Sequence, residues 1–290
     1  MQRALLQRDT LLQRCMTLCT RYLSDIQTKF NKLDRNEDDN EMEDFLGFSL
    51  VGRPVGGGKP RNLSTQELEQ AHIYVMKNTE DVQPYFEEFA ELPQYNSSQT
   101  SQNESASFIK WFREKVARLP NNDKSKETEE LLSLSRGPFV GVKCYTGYVI
   151  NGFRFHTKDH DKHLKTQSSG VVVVGDNGVD VEAVDYYGVL RKVVELQFLG
   201  GRTLALFCCD WCDVYDKGKG VKVDENGFVS VNLKRTLKMN EPFVLANQVS
   251  QVFYLDDNLN KGWHVVVKVQ PREIYAMMAE DNNEEVPNEI

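Results

Sequence analysis

The chain has 290 residues, 40% of them hydrophobic, 27% charged and 10% aromatic, and carries a formal net charge of −8. That length suits one or two ordinary domains, and the apolar runs are too short to span a bilayer, which excludes an integral membrane protein. Broad coverage of duplex DNA calls for a basic protein, and this one is acidic.

Met1–Ser24 is rich in Arg and nearly free of acid, a composition shared by organellar transit peptides and by plain amphipathic helices. Leu12, Cys15, Cys19, Tyr22, Ile26, Phe30 and Leu33 recur at steps of three and four. Residues 1–33 are therefore read as an amphipathic helix or coiled-coil segment whose apolar stripe has no partner nearby in sequence. Asp34–Asp44 then turns acidic and loses all periodicity. With the glycine-rich Gly52–Pro60 behind it, 34–62 reads as a linker, disordered in its acidic part.

Residues 63–135 read as a helical connector. Ser64-Thr-Gln-Glu67 is a capping box that opens a helix carrying Leu68, Ala71 and Val75 and ending near Asn78. A second helical piece spans about Thr79–Leu92, interrupted by Pro84 unless that residue sits in the first turn. Asn96–Asn103 is a polar loop. A third helix, about Glu104–Leu119, lines up Phe108, Phe112, Val116 and Leu119. With so few core residues, this region is expected to be loosely tethered.

From 136 to 278 the apolar period changes to two. Tyr148–Ile150 and Phe153–Phe155 flank Asn151-Gly152, a pair suited to the positive φ angles of a tight hairpin turn. Val171–Val174, Val194–Phe198, Thr203–Cys209, Val221–Val223, Phe228–Val231, Val252–Leu255 and Trp263–Val269 complete a set of short strands with turns between them. Thr203–Cys209 is apolar on both faces and so central. The fold class expected is α+β: a helical, partly disordered N-terminal half followed by an antiparallel β-barrel, SH3-like or bromo-adjacent-homology-like. Residues 279–290 form an acidic tail.

Six cysteines without a secretory leader or regular spacing suggest reduced thiols in the nucleus or cytoplasm. The glycine run ending Gly58-Lys59 fails as a phosphate loop, because Pro60 occupies the place of the magnesium-binding hydroxyl. Gly52-Arg53-Pro54 has the form of a minor-groove hook, and with Lys59, Arg61, Lys158, Lys162 and Lys165 it supplies the DNA-binding alternative. His156, His160, His163, Cys209 and Cys212 contain enough nitrogen and sulfur ligands for zinc if the hairpin and the central strand adjoin. Packing and solvated histidines explain the same residues. Asp210, Asp213, Asp216 and Asp224 border turns rather than separate elements, which disfavours a two-metal nuclease.

Tyr145-Thr-Gly-Tyr148, Asn151–Thr157, Lys165–Val173, Asp185–Leu190, Phe207–Trp211, Gly220–Asp224, Glu241–Leu245, Gln251–Tyr254 and Trp263–Val265 together resemble the C-terminal domain of unknown function in plant CACTA (En/Spm-like) transposon proteins. Upstream, Cys19–Tyr22, Gly52–Pro54 and Gln66–His72 are similar to the end of the preceding transposase-associated domain and its connector. The resemblance implies a fragment without catalytic residues or cofactor, lacking the upstream ribonuclease-H-like region that would carry strand transfer. It implies a nuclear setting, with cytoplasmic as the alternative, and a protein partner, either a transposase or a chromatin protein. DNA is a possible second partner, and neither a membrane nor a small-molecule substrate is expected. Phe207-x-Cys209-x-Trp211, Pro242–Leu245 and Val252–Tyr254 are further reminiscent of barrels that bind peptides at aromatic rims. Tyr148, Phe155, Tyr186, Tyr187 and Trp211 are the rim residues expected on that basis.

Overall fold

The computed structural model describes residues 52–92, 101–119, 126–162, 164, 166–175, 184–237, 242–258 and 260–271, with backbone alone at 101–103. The chain divides after Glu43, and every described residue belongs to the second unit, Asp44–Ile290. The expected helix over 1–33, the acidic run after it and the acidic tail at 279–290 lie outside the described residues.

The first helix begins where its cap places it. Ser64 caps α1 (Thr65–Lys77): its Oγ accepts from the Glu67 N–H at 3.2 Å, while Glu67 Oε2 accepts from the Ser64 N–H at 3.0 Å. Burial alone would raise the Glu67 pKa, but the Ser64 N–H and the Arg61 guanidinium hold it below the usual value. A single turn of 3₁₀ helix, Glu80–Val82, leads into α2 (Gln83–Ala90), where Pro84 sits in the first turn and breaks nothing. Helix α3 runs Ser101–Val116, starting earlier than expected and consuming the end of the polar loop. Helix α4 (Lys126–Arg136) was not legible as a separate element.

The glycine-rich stretch is not a connector. It holds β1 (Arg53–Val55) and β2 (Lys59–Asn62), each an edge strand with a proline in it, Pro54 and Pro60. Two of its glycines are there for packing, and Gly56 takes a positive φ of 79°. A Cβ at Gly52 would lie 2.4 Å from the Tyr148 ring and one at Gly58 would lie 2.7 Å from the Tyr145 ring. Two tyrosine faces press on the backbone, so side chains cannot be accommodated.

Strand β1 pairs with β4 (Gly147–Ile150), which pairs with β5 (Phe153–His156), giving a three-stranded antiparallel sheet. Asn151 (φ 51°) and Gly152 (φ 76°) form the hairpin turn as the sequence requires. Strand β2 joins β3 (Gly141–Tyr145), and β3 joins β7 (Tyr186–Gln197) in a ten-stranded sheet. The main path of that sheet is β11 (Phe243–Leu245), β8 (Thr203–Trp211), β7, β6 (Gly170–Val173), β12 (Ser250–Asp256), β13 (His264–Lys268), β10 (Val229–Val231) and β9 (Val221–Val223). Every named pairing is antiparallel, but the path is open and the sheets do not close. The architecture is α+β, with a helical part followed by a strand-rich part. The expectation of a closed barrel gives way to two packed sheets under a helical layer.

Strand β8 shows how the layers share one sheet. Leu204 and Leu206 enter a core with α1, α2 and α3, whose Met76, Phe89, Phe108 and Phe112 are buried there. The alternate residues Phe207, Cys209 and Trp211 enter a second core beneath the three-stranded sheet, with Tyr148 and Phe155. A register shift between Leu190 and Lys192 inserts Arg191 as a bulge in β7. It lets Val193 and Leu190 stay in the second core although they are three positions apart, an odd spacing that would otherwise put them on opposite faces. Tyr187 and Val189 enter a third core with Val172, Val231, Val252 and Tyr254. The expected loose tether is overturned: Phe108 stacks on Phe86 at 3.8 Å, meets Phe89 edge-on at 5.3 Å, and shares its core with Val194, Leu196 and Phe243 of the sheet.

Candidate functional site

Between the hairpin β4–β5, the loop after α5 (Lys158–Asp161) and strand β12 lies a cleft of about 230 Å³. Gln251 spans its floor, donating to the carbonyls of Arg154 at 2.6 Å and Ser168 at 3.2 Å. Asp161 ties down the loop: its carboxylate accepts from the N–H groups of Ser168 (2.8 Å) and Ser169 (2.7 Å) and from Ser168 Oγ (2.9 Å). Where β6 stops pairing with β12, the Gln167 side chain continues the ladder by accepting from the Tyr254 N–H at 2.7 Å. On the hairpin side the rings of His156 and His160 stack at 4.3 Å, nearly parallel. Gly147 is small for this reason, since a Cβ there would lie 2.9 Å from His156 Nδ1.

From the cleft an apolar strip continues into solvent along the outer face of β12 and β13. Leu255 pairs across from Val265 and Phe253 from Val267, so all four share that face. Leu255 is 56% and Val267 38% exposed, while Phe253 and Val265 are half-buried. At its end Lys222 Nζ lies 4.4 Å above the Trp263 ring and 3.6 Å from Asp257.

The expected rim is corrected. Phe155 is fully enclosed, and Tyr148, Tyr187 and Trp211 are buried. Tyr186 alone of the five is half-exposed, its hydroxyl 2.5 Å from that of Tyr215. The reason is alternation: these aromatics sit on inward positions of their strands and pack into the second and third cores. They line cores, not a rim.

The zinc set does not assemble. Among the described residues no group of three potential ligands converges, and His163 lies outside them. Cys209 and Cys212 are buried, and burial pushes both thiols up, Cys212 to about 12, with Asp210 adding to the effect. Cys208 is raised by burial as well. Thiols so protected are protonated at neutral pH and are weak nucleophiles.

The basic residues of the DNA alternative are scattered. Arg53 is exposed in β1, so the hook is a paired strand and not a free arm. Lys59 is exposed in β2, in the other sheet. Arg61 Nη2 contacts both Glu67 oxygens at 2.8 and 2.9 Å. Lys158 is exposed on α5, Lys162 pairs with Asp159 at 2.7 Å, and Lys165 lies outside the described residues. Sequence reasoning missed Arg154, Gln251, Phe253 and Leu255 as a group. For the last three the signal was alternation in β12, and their meeting with Arg154 of the hairpin is a tertiary fact.

Residues 194–266 match the family described as Domain of unknown function (DUF4216). The match runs from the second half of β7 into β13 and so includes most of the apolar strip, but it is well short of half the chain. No curated protein and no solved structure matches the chain. Among the described residues, no helix is long and apolar enough to cross a membrane.

Proposed function

We propose that the chain is a noncatalytic fragment of a CACTA-type transposon protein whose strand-rich part works in the nucleus as an interaction module for a transposase or chromatin protein. The observation that carries this reading is the solvent-facing strip Phe253, Leu255, Val265 and Val267 beside the polar cleft floored by Gln251. Contiguous exposed apolar surface edged by polar groups is what protein partners bury. The match of 194–266 to a domain of unknown function agrees with the resemblance in that region. The strands β6, β12, β13, β10 and β9 around the third core are the part in which kinship to SH3-like or bromo-adjacent-homology lobes is proposed.

The test uses the purified full chain against histone-tail peptides and against the transposase of the same element. Binding to one of them that is lost on Leu255→Asp or Val267→Asp, with unchanged thermal unfolding, supports the reading. No association with either sinks it. Direct DNA binding is the second reading, favoured by the exposure of Arg53, Lys59 and Lys158. Salt-dependent retention of A·T-rich duplex, lost on Arg53→Ala, would select it instead.

A further inference from the structure

On the helical side, outside the family match, lies a separate cavity of about 320 Å³ between α1, α3 and the turn after α4. Its walls combine Leu68, Ile109 and Pro138 with three cations, Lys110, Arg113 and Arg136. Glu69 is the one carboxylate of the lining, so the wall is net positive in a chain of charge −8. Elsewhere the basic side chains commonly face acids, as Arg61 faces Glu67, Arg191 Asp210 and Lys222 Asp257. Among the described residues no carboxylate lies within ion-pair distance of Lys110, Arg113 or Arg136.

The cations are also held in place. Arg113 Nε donates to the Ser135 carbonyl at 3.2 Å and its Nη2 to the Arg136 carbonyl at 3.4 Å, which fixes the guanidinium against the end of α4. Behind it His72, 4% exposed, donates from Nε2 to the Leu134 carbonyl at 2.7 Å and is kept neutral, so it adds no charge. Gly137, at φ 81°, brings the backbone against the imidazole, where a Cβ would lie 2.9 Å from its Nδ1. A cavity with an apolar wall, a guanidinium held by two carbonyls and two more lining cations without an ion-paired carboxylate is suited to a negative ligand with a hydrophobic body.

We infer that the cavity between α1, α3 and the α4–β3 turn binds a small organic anion, a carboxylate, sulfonate or phosphate carried on one or two rings. The volume lies near the lower end of small-molecule sites, roughly 300–1,000 Å³, which sets the ligand size. Arg113 and Lys110, one turn apart on α3, meet the anionic group, Arg136 closes it from the far side, and Leu68 and Ile109 cover the rings.

The probe is anilinonaphthalene sulfonate, whose fluorescence rises on leaving water, titrated into the folded full chain. The expected result is saturable binding at one site per chain, weakened by salt. The double variant Lys110→Gln, Arg136→Gln should bind roughly tenfold or more weakly, the loss expected for charge-assisted contacts. Ala106→Trp, which fills the cavity from α3, should abolish binding. Both variants must melt as the parent does, and the uncharged N-phenylnaphthylamine should not bind measurably. Absence of saturable binding, unchanged affinity in the double variant, or equal affinity for the uncharged probe would each overturn the inference.

Discussion

The two faces of strand β8 have opposite chemistry. Toward the helices, Leu204 and Leu206 share a core with Phe108, Phe112 and Met76, and His72 is a buried ionisable group on that side. Toward the hairpin, Phe207, Cys209 and Trp211 meet Tyr148, and the neighbouring core adds Tyr187, Cys212 and Tyr254. Burial lowers His72 to about 4, with Arg113 also acting against its charge and the Leu134 carbonyl only partly offsetting them. Burial raises Tyr148 to about 12, reinforced by Glu195. Desolvation favours the neutral form in both, so a base and an acid shift in opposite directions. His72 therefore limits stability in acid and Tyr148 in alkali.

The largest effect should come from truncating either core. Phe108→Ala on the helical side and Phe207→Ala on the hairpin side should each cost about 3–5 kcal/mol. Because β8 serves both, urea unfolding followed by helical and aromatic signals should stay a single transition in each variant. Separate transitions would show the two faces to be independent. The acid limb is next. His72 is neutral when folded, so its contribution is complete above its unfolded pKa, near 6.5, and is lost as pH falls toward 4. The loss should reach about 3 kcal/mol, and His72→Gln should flatten that limb of a denaturant-midpoint profile.

On the other face the sign reverses. Tyr148 contributes below pH 10, and its contribution fades as pH rises toward 12. Tyr148→Phe should remove only part of the alkaline loss, since Cys209, Cys212 and Tyr254 are raised as well. Gly188→Ala should cost about 1–3 kcal/mol by overpacking, because its Cβ would meet Trp211 at 2.7 Å and the Asp210 carbonyl at 3.2 Å. Smallest is Ser64→Ala, which removes one half of the capping box for about 1 kcal/mol, read from the thermal midpoint.

Much of the local structure was legible. The Ser64–Glu67 box, the Asn151-Gly152 turn, the alternation of Val194, Leu196 and Phe198, and the two-sided burial of Thr203–Cys209 all appear where the residues place them. The site was less so. An inward aromatic and a rim aromatic have the same strand period, so Tyr148, Phe155, Tyr187 and Trp211 could not be told from a binding rim until the cores they enter were seen. The glycine run was misread for a related reason, as a Gly needed under a tyrosine ring looks like a Gly in a flexible arm.

What the residues determine alone is short-range: where helices start, which turns reverse the chain, which side of a strand is apolar. These follow from hydrogen bonds and dihedral preferences spanning a few residues. The tertiary structure decides the rest. It brings Gln251 against the carbonyl of Arg154 and leaves Leu255 and Val267 facing water. It also sets Arg113 of α3 against the end of α4. Such meetings depend on strand order and the Arg191 bulge, which sum many weak contacts over the whole chain and leave no mark at any single position.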